Sequence, residues 1–160
     1  MTETISQSSL HAAMQALHKR SDALLTPLSP AQLDALQATP LWSASDVLRH
    51  LLAWNELTAA ALKVWPSDHS AVLPVFNTLD EINAYLLDRY RHLSPSETIE
   101  RNYAAHKAML EQIDAASAQE LVQINTPPGW HSSTSMLGFV DEMIKHDHEH
   151  LDQIEAALSR

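Results

Sequence analysis

Two glycines in 160 residues set the tightest limit on what this chain can fold into. Strand-rich folds need glycine at their tight turns, and nucleotide-binding folds need it where backbone approaches phosphate. A chain holding only Gly129 and Gly138 is expected to be all-helical. Alanine and leucine dominate, and both favour helix. The length fits one core, so residues 1–160 read as a single domain.

Apolar spacing divides the chain into four long helical units. The first runs from about Thr4 to Leu25, with Leu10, Met14, Leu17 and Leu24 as its stripe and Ser21 as a polar gap. Thr26-Pro27 ends it, and Ser29-Pro30 opens a short turn through Leu36 as cap and first helical residue. The second unit follows Trp42. Ser43 and Asp46 are spaced as a capping box, and Val47, His50, Leu51, Trp54, Leu57 and Leu62 form the inner face up to Trp65-Pro66. Pro66 to Phe76 is expected to be a long crossing loop. The third unit reads as two pieces. Asn77 or Thr78 opens one, carrying Ile82, Leu86 and Tyr90. Ser94-Pro95 with Glu97 opens the other, carrying Ile99, Tyr103, His106, Leu110 and Ile113. After Pro127-Pro128-Gly129, the fourth unit opens within Ser132 to Ser135 and carries Phe139, Met143, His146, His150, Ile154 and Ala157. Four such units predict an all-α four-helix bundle.

Cysteine is absent, so disulfides, thiolate nucleophiles and sulfur-ligated metals are excluded. The net charge of −10 and the lack of a basic patch disfavour nucleic acid and anionic membranes as partners. No apolar run is long enough to span a bilayer, and Met1 to Leu10 lacks the order of a signal peptide, so a cytoplasmic location is expected.

Chemistry is carried by the ten histidines. His146 and His150 stand four residues apart, on one helical face and one turn apart. Both continue an apolar stripe, and so does His50 on the second unit. If those two units are neighbours, three imidazoles meet inside the bundle. Imidazole suits zinc, nickel, copper and iron, and three ligands leave positions open for a reactant. The plainer readings are a solvated turn over His146-Asp147-His148-Glu149-His150 and a hydrogen-bonded core histidine at His50. His106 also lies on an apolar stripe. It reads as a fourth ligand, as a general base beside the metal, or as a buried histidine satisfied by Tyr103 or a carbonyl. His148 should point away from its neighbours, and His11, His18, His69, His92 and His131 read as surface residues. Trp42, Trp54, Trp65 and Trp130 read as packing residues, with Trp54 the one placed to wall a pocket. Paired Glu-x-x-His motifs, His-Glu-x-x-His, a Gly-x-Ser-x-Gly elbow and a Walker loop are all missing.

Three segments carry a family resemblance. Trp42-Ser-Ala-Ser-Asp-Val-Leu-Arg-His50-Leu-Leu-Ala-Trp54 resembles the second-helix signature of the DinB/YfiT-like superfamily. His146-Asp-His-Glu-His150-Leu-Asp-Gln-Ile154 resembles its last-helix signature, and the stretch from Leu93-Ser-Pro-Ser through His106 to Ile113 is similar to the ClbS/DfsB branch. The resemblance implies an up-down-down-up bundle with a long crossover between the second and third units. It also implies a divalent metal, nickel or zinc foremost and iron as a further option, on His50, His146 and His150. Homodimers are common in the superfamily, and a homodimer is the expectation here.

The function expected from this is a metal-dependent hydrolase or thiol S-transferase acting on a small electrophile, with His106 moving a proton. Any thiol must be a separate low-molecular-weight molecule, since the chain has none. The competing expectation is a non-catalytic protein of the same fold that binds a small molecule or protects against stress.

Overall fold

In a computed structural model, residues 4–65, 67 and 72–160 are described. Among them are seven helices and no strand: α1 (Gln7–Leu25), α2 (Pro30–Ala35), α3 (Ala44–Lys63), α4 (Leu79–Tyr90), α5 (Pro95–Ala115), α6 (Ala118–Val122) and α7 (Met136–Leu158). Part of the expected Pro66–Phe76 loop lies outside the described residues, as do Met1 and His69.

Helix starts follow local chemistry. Ser6, Ser29, Ser43, Thr78, Ser94 and Ser117 each cap a helix with the side-chain oxygen, and the third helical residue bonds back to the cap. Each such cap is worth about 1 kcal/mol, because it satisfies amide donors that the helix leaves bare. Ser135 caps α7 through the Gly138 amide. That amide sits so close to Thr134 that a Cβ on Gly138 would lie 2.4 Å from the threonine hydroxyl.

Side-chain pairings fix the directions of the four long helices. Gln7 reaches Ile113 and His18 reaches His106, so α1 and α5 run antiparallel. Arg49 bonds the Leu93 carbonyl and Glu56 pairs with Arg101, so α3 and α5 run parallel. His50 meets His146 while Trp65 stacks on Phe139, so α3 and α7 run antiparallel. The topology is therefore up-down-down-up. The parallel pair forces the chain to travel back along the bundle between α3 and α5, and α4 lies on that return path.

The two expected pieces of the third unit are separate helices. The turn after Tyr90 ends α4, and Ser94-Pro95 starts α5 afresh. Only α5 belongs to the four-helix core. The short α6 and the isolated bridges Gln37–Ser43 and Asn125–Thr134 were not foreseen from pattern. The bridges pin the chain just ahead of α3 and α7, the two helices that bear the histidine triad. The core joins Leu10, Met14 and Leu17 of α1, Val47 and Leu57 of α3, Met109 and Ile113 of α5, and Phe139, Val140 and Ile154 of α7.

Candidate metal centre

His50 lies in the second turn of α3, and its helix face is held by the flanking core residues Val47, Leu51 and Trp54. His146 and His150 project from α7 one turn apart. The Nε2 of His146 is 3.2 Å from Nε2 of His50 and 3.2 Å from Nε2 of His150. All three ligand nitrogens lie within 4.8 Å of one another. An ion bound tetrahedrally to imidazole nitrogens at about 2.0–2.1 Å sets neighbouring nitrogens about 3.3 Å apart, which the two short edges match.

Two rings of the triad, His50 and His150, are disfavoured as cations. Burial, reinforced by the nearby His150 and His146, pushes the His50 pKa down to about 2. Burial and His146 also lower that of His150, against the opposing effect of its bond to Gln153. Neutral imidazole is the form that offers a lone pair. Gln153 Oε1 lies 2.8 Å from Nδ1 of His150 and so accepts its proton, leaving Nε2 free to ligate. Nδ1 of His146 is 3.7 Å from Asp147 Oδ1. The Nδ1 atoms of His50 and His146 are buried and make no hydrogen bond. With one His150 nitrogen committed to Gln153, the three rings cannot satisfy one another by hydrogen bonds alone. The donor set and spacing therefore fit a divalent transition metal on His50, His146 and His150.

The triad faces a cavity of about 560 Å³. Trp42, Trp54 and Trp130 line it together with Leu79, Asn83, Met143 and Lys145. The Trp42 ring lies 4.8 Å from that of His50, and Trp54 meets His50 edge-on. Trp54 donates its indole N–H to Asn83 Oδ1 at 2.9 Å, which fixes the ring. Three of the four tryptophans thus wall the site while also packing on the core, Trp130 edge-on to Phe139, and Trp65 stacks on the same Phe139 away from the cavity. Gly129 adopts φ 78°, and a Cβ there would press within 3.2 Å of both Trp54 and Ile82. Glycine at this point lets the chain turn tightly against the cavity wall.

His106 does not line that cavity. It is buried on α5, with Nε2 2.8 Å from Asp147 Oδ2 and Nδ1 2.9 Å from His18 Nε2. Asn55 spends its two amide protons on Asn102 Oδ1 and the Asp147 carboxylate. Burial alone would raise the pKa of Asp147. The hydrogen bond from His106 and the nearby His146 more than offset that and hold the carboxyl below its usual range. A buried carboxylate therefore sits directly behind the triad, its Oδ1 3.7 Å from Nδ1 of His146.

His18, Asn55, Asn102 and Asp147 escaped the sequence reading. Two carried a readable signal. His18 falls four residues after Met14 and three before the buried Ser21, and Asn55 falls four after Leu51 and three before the buried Thr58. Both are polar residues on core-facing stripes. His18 is half-buried rather than a free surface residue. His11 and His92 are exposed, and His131 reaches the cavity rim. His148 points away from the triad, as expected, and accepts from Arg20.

A family model described as the DinB superfamily matches residues 13–154. The chain belongs to the DinB superfamily. Among solved structures, this superfamily member is similar to an uncharacterised protein of Escherichia coli UTI89, at 15% identity and TM-score 0.77, over 98% of this chain and 94% of that one. It is similar to a protein described as "Sibling Lethal Factor Precursor - DfsB", at 16% identity and TM-score 0.75, over 96% and 95% of the two chains. It is also similar to YfiT from Bacillus subtilis, described as a probable metal-dependent hydrolase with an unusual four-helix bundle topology. There the identity is 15% and the TM-score 0.74, over 98% of this chain and 90% of YfiT. No curated protein matches the sequence. At these identities the likeness establishes the shared fold.

Proposed function

We propose that this protein is a divalent-metal enzyme acting on a small electrophile, as a hydrolase or as a transferase to an external thiol. The observation that carries this reading is the convergence of three Nε2 atoms, from two helices, at the wall of a cavity sized for a small molecule. YfiT, described as a probable metal-dependent hydrolase, shares the fold and supports the same direction. His50, His146 and His150 would hold a divalent ion, which when bound would supply Lewis acidity for activating a water or a thiol near neutral pH. The chain's own residues do the rest. Gln153 orients His150, Trp42 and Trp54 exclude water from one side, and Asn83 lines the ligand space while holding the Trp54 ring. His106 acts through Asp147 rather than on the substrate. It donates to that carboxylate, which lies 3.7 Å from Nδ1 of His146, and so fixes the group packed behind the ligand.

Metal analysis and turnover test this together. Protein expressed with zinc or nickel should retain close to one equivalent, and His50→Ala should lose it. Hydrolysis of 4-nitrophenyl acetate, or conjugation of glutathione to 1-chloro-2,4-dinitrobenzene, should track occupancy. Retention below about a tenth of an equivalent by the unaltered protein refutes the reading. Full occupancy without turnover of either probe favours the binding-protein alternative.

A further inference from the structure

The large cavity has a neighbour. A second cavity of about 290 Å³ is lined by Leu73, Val75, Phe76 and Ile82 among others, and it shares Leu79, Gly129, Trp130 and His131 with the first. The two spaces therefore lie on either side of one short wall. Their chemistry differs. The first holds the imidazoles, three indoles and the charged side chains Glu142, Lys145 and Glu149. The second contains no Asp, Glu, Lys or Arg, and its polar side chains are Asn77, Thr78 and the shared His131. Leu79 forms part of the divide and is 54% exposed, so nothing in the described chain covers that ridge. Val75 on the far side is almost fully exposed.

We infer that the substrate is an elongated molecule, with a flat aromatic or conjugated head at the triad and an apolar chain crossing Leu79 into the second cavity. Indole faces favour flat apolar groups, and Asn83 keeps its amide protons for a polar atom on the head because its oxygen is taken by Trp54. An apolar chain lying along Leu73, Phe76 and Ile82 in the second cavity removes hydrocarbon from water without burying an Asp, Glu, Lys or Arg. A compact polar electrophile would leave that second space unused. The inference rests on the enzyme reading for the chemistry at the head, but the two-part binding surface stands apart from turnover.

Its test is a chain-length ladder read by binding alone. Phenol, 4-ethylphenol, 4-butylphenol and 4-hexylphenol are titrated into the full-length protein by isothermal titration calorimetry, with zinc and again after chelation. Affinity should rise about fourfold per added methylene once the chain passes the ridge. Leu79→Trp, which plugs the divide, should flatten the ladder. Leu79 is exposed, so folding is not at risk. A flat ladder in the unaltered protein overturns the inference, as does a steep ladder that Leu79→Trp leaves unchanged. A steep ladder that survives chelation upholds it even if no turnover is ever found, which separates its failure from that of the enzyme reading.

Discussion

Two histidine clusters lie on different faces of α7, and their contrast is instructive. On one face, His50, His146 and His150 share no carboxylate among their ligating atoms, leave two ring nitrogens without hydrogen bonds, and border a cavity of about 560 Å³. On the other, His18 and His106 are bonded to each other, His106 is bonded to Asp147, and the space beside them is about 10 Å³. Residue type is the same in both. What differs is the capacity left on the rings: His18 and His106 are bonded, and the leftover atom of their network is Asn55 Oδ1 rather than a ring nitrogen. A buried network whose donors find acceptors holds a core together, whereas rings that cannot satisfy one another beside open space are poised for an external partner.

The largest effect expected from this contrast is on folding. Asp147→Ala removes the acceptor for His106 and Asn55 in a site 1% exposed. Breaking such a buried pair costs about 3–5 kcal/mol, and the melting temperature should fall by about 10 °C. A shift of only a degree or two would mean that the second cluster is not a structural clasp. The triad should respond in the opposite way. His50→Ala should weaken zinc binding by more than about 100-fold in calorimetric titration, since even changes to groups behind the ligands cost about 10–100-fold. Its metal-free stability loss should be less than half that of Asp147→Ala, and an equal loss would erase the distinction between the clusters.

Acid sharpens the comparison further. The unfolded His50 imidazole takes up a proton near pH 6.5, whereas the folded one resists protonation down to about pH 2. The unfolded state therefore binds more protons in that window, and stability of the metal-free protein falls as pH drops through it. The slope is up to about 1.4 kcal/mol per pH unit for this one group. Asp147 acts in the same sense at lower pH, because the unfolded carboxyl protonates near 3.8 before the folded one does. Urea unfolding between pH 7 and 5 should show the slope, and His50→Leu should reduce it. The smallest change is expected for Gln153→Ala. Zinc affinity should drop about tenfold through loss of the His150 partner, while stability stays within about 0.5 kcal/mol.

Much of this was legible in the sequence because the signals are local. Two glycines, the Ser/Thr caps and the stripes at three- and four-residue spacing led to four long helices. The four-residue step between His146 and His150 fixes their shared face without tertiary information. That His50 completes the set needed α3 and α7 to be neighbours, which the family resemblance supplied and the Nε2 distances bear out. The Asp147 network was illegible for a different reason. Its members come from α1, α3, α5 and α7, and each is an isolated polar residue whose partner lies at least 41 positions away. No local spacing records such a meeting. The tryptophans pack in or against the core as read, but that Trp42 and Trp130 also line the cavity was not legible, because an aromatic on a stripe reads the same whether it meets another helix or a hollow.

The parallel run of α3 and α5 has a consequence for how such a protein can change. Because the two helices point the same way, their connection must traverse the outside of the molecule, and it brings Leu73, Phe76 and Leu79 against the cavities as it goes. The residues that would grip an ion therefore belong to the scaffold, while most of the second cavity's lining belongs to a strap laid over it. Such a strap can lengthen, shorten or swap side chains across generations without disturbing the imidazoles, so new ligand preferences are reachable by editing about thirty consecutive positions between α3 and α5.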